Sequence, residues 1–244
     1  MLLSRSGTAR RPTPAPAAAL LRTSALALAL LLPRPTLVEA QATVDTQVWV
    51  MGLATVPVRD DWRIHLELQP RVSVEDGMTT EVLTRVALGR RIAARATLWA
   101  GYAWIAKPPG PGVTHEHRAW QQLSVGFPTV ARVTPSLRLR VEQRSQAGWD
   151  GLSHRVRAMS RLVRPVTASR RWSAVAWHEG FVTLDRTASG PARGIDQHRV
   201  FGGVLHQVTP ALGIEAGYLW RTAQRPAAAR THVHSAFLWL NLTP

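Results

Sequence analysis

Trp62-Arg63-Ile64-His65-Leu66-Glu67-Leu68-Gln69 sets an apolar or aromatic side chain at every second position, with a charged or polar one between. Leu137-Arg138-Leu139-Arg140-Val141-Glu142-Gln143-Arg144 repeats the pattern further along the chain. A β-strand sends successive side chains to opposite faces, so each stretch has one apolar face and one charged face. Many such strands behind a secretory signal indicate a β-barrel with inverted polarity, apolar side chains towards lipid and charges towards the lumen.

The first forty residues read as that signal. Arg5, Arg10, Arg11 and Arg22 carry positive charge, and Ser24–Leu32 is an apolar core too short to span a bilayer as a helix. Pro33 and Pro35 stop it, and Val38-Glu39-Ala40 offers a small-x-small cleavage site before Gln41. The expected division is a signal peptide at 1–40 and one barrel domain at 41–244, exported by the general secretory route. No Cys follows the apolar core, so a lipoprotein anchor is not expected. With no Cys at all, disulfides and thiolate metal sites are impossible. The net charge is +15, and Lys107 is the only lysine. The arginines recur at strand period instead of forming a tail or helical stripe, which argues against nucleic acid as a partner. Lipopolysaccharide phosphates suit an exported, arginine-rich surface better.

Ten segments read as full strands, at 62–73, 79–89, 94–106, 115–126, 136–146, 153–164, 172–184, 196–208, 212–222 and 232–242. A weaker eleventh lies at 44–56 around Trp49. The connections near 73–79, 107–114, 146–152, 185–195 and 223–231 are longer than those near 90–93, 127–135, 165–171 and 209–211. Outer-membrane barrels have short periplasmic turns and long external loops. The longer set, with Asp76-Gly77, Pro108–Gly112, Gly148–Gly151 and Ser189-Gly190-Pro191, is therefore expected outside. Ten strands would close antiparallel with both ends inside; the eleventh segment would cap the barrel, pair at the seam or belong to a hairpin making twelve. Trp62, Trp104, Trp120, Trp172 and Trp220, with Tyr102 and Tyr218, fall near strand ends, as an interfacial aromatic girdle requires. A soluble barrel has the same period. Its polar face favours Lys, Glu, Ser and Thr, whereas Arg with Glu and Gln suits bidentate pairing in a confined lumen.

Several phrases in order carry a family resemblance: Trp62–Arg71, Glu116–Leu123, Leu137–Arg144, His154–Arg157, Trp177–Phe181, Asp196–Arg199 and Gly217–Leu219. Together they resemble the bacterial exported barrels of the domain of unknown function 2490 family. The resemblance covers nearly all of the mature chain. It implies an all-β, antiparallel up-and-down transmembrane barrel of about 10–12 strands in the outer membrane of a Gram-negative bacterium, and no assigned activity. One departure is the ending Trp239-Leu240-Asn241-Leu242-Thr243-Pro244, where outer-membrane barrels commonly end in an aromatic residue.

On this register Glu67, Glu116, Glu142, Glu179 and Glu215 point into the lumen with Arg63, Arg118, Arg138, Arg140, Arg144, Arg155, Arg157 and Arg199. Facing Arg and Glu would fill a narrow lumen as a salt-bridged plug. An excess of Arg would alternatively make a small anion-selective passage. A lipid-modifying enzyme is a third reading. Ser153-His154 and His178-Glu179 cannot be working pairs, because strand neighbours face opposite ways, so Ser124 or Ser160 would need a His from an adjacent strand. His115-x-His117 and His232-x-His234 each put two imidazoles on one face, a metal clamp or, more simply, a solvated rim. Gly202-Gly203 reads as a bend or close packing inside a strand. The expected molecule is a monomeric outer-membrane barrel with a charged, largely plugged lumen. Its expected partners are outer-membrane lipid, lipopolysaccharide and, during biogenesis, the barrel-assembly machinery; it carries no cofactor, metal or catalytic residues.

Overall fold

Alternation at period two continues through almost the whole described chain, and each stretch of it forms one strand. The structure, a computed structural model, describes residues 43–108, 113–185, 193–224 and 230–244. The signal segment, Pro109–Gly112 and Ser189-Gly190-Pro191 lie outside the described residues. The strands are β1 Thr43–Arg59, β2 Trp62–Ser73, β3 Thr79–Ala93, β4 Ala96–Lys107, β5 Thr114–Gly126 and β6 Thr134–Gln146, followed by β7 Ser153–Pro165, β8 Trp172–Thr183, β9 Gly194–Gln207, β10 Leu212–Ala223 and β11 Thr231–Leu242. They form one closed barrel in chain order. Every sequential pair is antiparallel, and β1 closes the ring by pairing parallel to β11, from Thr43↔Thr231 to Ala54↔Leu242.

The weak eleventh segment is thus a full strand, and it pairs at the seam. An odd strand number forces one parallel pair, because direction alternates around the ring. It also corrects the expectation that both chain ends share one side. Thr43 sits at one end of the barrel, beside the start of β11, and Leu242 at the other, beside Ala54.

The two ends differ. One, the turn end, carries the two-residue connections Asp60-Asp61 and Ala94-Arg95 together with 127–133, 166–171 and 208–211; the other, the loop end, carries 74–78, 108–113, 147–152, 184–193 and 224–230. Segments 127–133 and 166–171 are longer than a short-turn set should be. The first folds back on itself: Val130 and Val133 exchange two backbone hydrogen bonds of 2.9 Å across Ala131 and Arg132, both at positive φ. That is the two-residue hairpin geometry that matches strand twist, achieved here without glycine.

Side-chain polarity is inverted relative to a soluble barrel. Leu66, Leu68, Val86, Leu88, Leu98, Leu139, Leu162, Val204 and Leu240 are exposed on the outside, Leu66 by 47%. Glu116, Glu142 and Glu179 are 0%, 1% and 2% exposed inside. The lumen is not wholly charged. Trp49, Met51, Met159, Val175, Trp177, Phe201, Leu219 and Phe237 pack as one buried cluster, and Leu83, Ala87, Trp99, Ala103, Ile105 and Trp120 as another.

Candidate functional site

The inward faces of six consecutive strands, β4 to β9, bring three buried carboxylates and their cations together in the lumen. Glu116 on β5 accepts from Arg118 Nε at 2.8 Å, Arg144 Nε at 2.6 Å and Lys107 Nζ at 2.9 Å. Glu142 on β6 accepts from Arg155 Nη2 and Arg157 Nη1, both at 2.6 Å. Glu179 on β8 accepts from the other arm of Arg157 and from Arg138, both at 2.8 Å, with Arg199 at 3.7 Å. Arg157 therefore bridges two carboxylates from different strands. Cross-strand register creates this: Glu142 pairs with Arg155, Arg140 with Arg157 and Glu179 with Arg199. A guanidinium fork satisfies two acceptors at once, which a lysine ammonium does less well.

Smaller groups flank this centre. Glu67 bonds Arg85 and lies 3.4 Å from His65, while Glu215 bonds Arg161. Arg140 donates twice to Gln122 Oε1, at 2.6 and 2.8 Å, with its guanidinium 4.2 Å above the Trp120 ring. Arg71 bonds Glu81 at 2.9 Å and stacks 3.7 Å over Trp49. Phe181 holds Arg155, Arg157 and Arg199 against its ring at 4.6–5.0 Å. Rings and guanidiniums thus fill the interior together, several of the cations facing an aromatic quadrupole. A void among Trp49, Glu67, Arg71, Arg118, Arg157 and Glu179 has a volume of ≈60 Å³, room for about two waters at the bulk share of each.

All thirteen charged residues expected on the lumen side project inward. Twelve share ion pairs, and Arg63 lines the turn-end mouth instead. Sequence reading missed Arg71, Glu81, Arg85, Lys107, Arg161 and Asp196. Parity would have found Arg71, two positions beyond Gln69, and Arg161, four beyond Arg157. Trp120 is a correction to the girdle: it is 1% exposed and lies inward, between the arginines.

The other aromatic residues near strand ends do face outward. Tyr102 bonds His117, and Trp104 stacks on His115 with centroids 5.2 Å apart. Tyr218 bonds His234, and Trp220 stacks on His232 at 5.8 Å. The two clusters have one sequence form, Ala-Gly-Tyr-x-Trp followed by Thr-His-x-His, at 100–117 and again at 216–234. Their inward glycines are obligatory: a Cβ at Gly101 would lie 2.4 Å from the Val86 carbonyl oxygen, and one at Gly217 2.3 Å from that of Gly202. The paired histidines are thus already engaged with rings. Towards the turn end Trp62 meets Arg90, and Trp172 lies 4.1 Å from His206.

Ser160 and His178 are register partners, but the His178 ring bonds His198 at 3.2 Å and makes no hydrogen bond to a serine among the described residues. Ser124 accepts from Gln122 at 2.9 Å. His154 bonds Asp185 at 2.5 Å, on the opposite face from Ser153. Slight burial favours protonating Asp185, but the ring and backbone N–H of His154 outweigh it and hold the carboxyl below its usual range.

A closed all-β barrel with an ion-paired interior is the class these features define. The chain belongs to the family described as protein of unknown function (DUF2490), which matches residues 46–232. It is 29% identical over 193 residues to an uncharacterized protein of Methylorubrum extorquens, covering 78% of this chain and 83% of that one. Among solved structures, the NanC porin shares 8% identity with a TM-score of 0.46, over 75% of this chain and 89% of the porin.

Proposed function

We propose that the protein is an outer-membrane β-barrel whose lumen is closed by its salt-bridged interior, serving a structural or binding role and not a conducting one. The observation that carries this reading is the inverted polarity: charged groups are buried inside while leucine and valine are exposed outside on the same strands. In water that arrangement would expose an apolar band around the whole barrel, far beyond the patches soluble monomers tolerate. In lipid it is the stable one. Polar groups on the outer face support it, because they satisfy each other. Gln121 and Gln143 exchange amide hydrogen bonds at 3.4 and 3.1 Å, and the tyrosines bond histidines.

On this reading the signal at 1–40 delivers the chain through the general secretory route. The assembly machinery inserts it as a monomer, and the loop end faces outward against lipopolysaccharide. The plug follows from burial: three buried carboxylates hold seven basic side chains, and removing any one partner would leave a costly unpaired charge. The test is planar-bilayer conductance of the refolded mature chain in KCl. A correctly folded, silent barrel is expected. Steady single-channel steps with anion preference would replace the plug with a small anion-selective passage lined by the same arginines.

A further inference from the structure

The lumen widens abruptly at the turn end. A cavity of ≈400 Å³ opens there, and five arginines line it: Arg63, Arg91, Arg95, Arg138 and Arg161. No carboxylate shares its wall. A second lobe of ≈400 Å³ adjoins it, with Arg161 and Trp239 common to both. The mid-lumen void of ≈60 Å³ is far smaller, so the lobes form a blind cup and not one stretch of a uniform bore.

The two lobes have opposite needs. In the first, Arg91, Arg138 and Arg161 each use a carboxylate behind the wall, at Asp61, Glu179 and Glu215, leaving further N–H groups of each fork available. Arg63 and Arg95 have no carboxylate partner among the described residues. At the junction, Arg161 Nε and Trp239 Nε1 are buried donors with no protein acceptor. In the second lobe the unpartnered buried atoms are acceptors, Glu215 Oε1 and Asn241 Oδ1. One lobe therefore offers donors and positive charge, and the other offers oxygens that seek donors. Such groups are costly to bury unless something satisfies them. Towards the loop end, by contrast, Lys107 is paired with Glu116 and Arg71 with Glu81.

We propose that the turn-end cup binds a small hydroxylated oxyanion. Its carboxylate or phosphate lies among the five arginines, and its hydroxyls donate to Glu215 and Asn241 across Trp239. The proposal rests on the barrel reading only for which compartment the cup faces; the binding itself is a property of the lumen wall.

The experiment is isothermal titration calorimetry of the refolded mature chain in detergent micelles at low ionic strength, with gluconate, glucose 6-phosphate, inorganic phosphate and uncharged glucose as probes. Saturable one-site binding of gluconate, glucose 6-phosphate or both is expected, with none for glucose; which one binds tells a carboxylate from a phosphate ligand. Arg63→Gln with Arg95→Gln should weaken binding by roughly tenfold or more. Asn241→Leu should weaken the hydroxylated anions but not inorganic phosphate. Arg132→Gln, an exposed arginine on the same rim outside the cup, should change nothing. A heat-modifiable band on gels verifies that each variant is folded. Absence of saturable binding by every probe overturns the cup, as does equal affinity in the Arg63/Arg95 double variant. A conducting barrel that still binds would overturn the plug and leave the cup standing.

Discussion

The inner and outer faces of β6 are built from alternate residues of one stretch, yet they obey opposite rules. Arg138, Arg140, Glu142 and Arg144 turn inward and are held in an ion-paired network. Leu139 and Val141 turn outward and touch little of the protein, 42% and 39% exposed. Stability inside comes from pairing, so it is lost when a partner is removed. Stability outside comes from the surrounding medium, so it is lost when a charge is added. The same kind of substitution should therefore have different consequences on the two faces.

The largest effect is expected at Glu142. Glu142→Leu leaves Arg155 and Arg157 without their shared acceptor in a buried site, and should cost about 3–5 kcal/mol, read as a fall in the urea unfolding midpoint in liposomes. Leu66→Arg and Leu139→Arg come next. A charge on the lipid face near the midplane costs about 2–4 kcal/mol, and the expected outcome is loss of the heat-modifiable folded form in membranes. If these variants assemble normally, the outer face is not in lipid. Tyr102→Phe removes one hydrogen bond to His117 and should cost about 0.5–1.5 kcal/mol. Arg63→Leu, at the mouth and without a carboxylate partner, should shift stability by less than about 0.5 kcal/mol. The smallest effect is local. The Asp185 carboxyl titrates below its unfolded value, so its bond to His154 stabilises above the unfolded pKa and is lost as pH falls through the folded one. Faster amide exchange at His154 under acid, with the strands unaffected, would register it.

Much of this was legible in the sequence, because period two alone tells which side chains share a face. It assigned every Arg and Glu of β5 and β6 to the correct side, though Arg71 on β2 and Arg161 on β7 were passed over. The alternation is weaker in β1, where Val48, Trp49, Val50 and Met51 run as four apolar residues with no polar marker. That strand nonetheless closes the ring, and its parallel partner follows from the strand count. Trp120 was misplaced for a different reason. Proximity to a strand end suggested a girdle, but the parity shared with Glu116 and Arg118 puts it inside. Closure also governs the cup. Arg63, Arg91, Arg95, Arg138 and Arg161 come from separate strands and a turn, and only the ring brings them to one mouth.

The most direct test of the inverted barrel uses the absence of cysteine in the chain. Single cysteines placed in turn at positions 138–144 would carry a spin label in proteoliposomes, with accessibility read against oxygen, which concentrates in lipid, and against a water-soluble nickel chelate. The account predicts oxygen access at 139, 141 and 143, with labels at 140, 142 and 144 shielded from both reagents and a label at 138 open to the water-filled turn-end cup. Nickel access at the odd positions would contradict it, because the apolar face would then be turned to water.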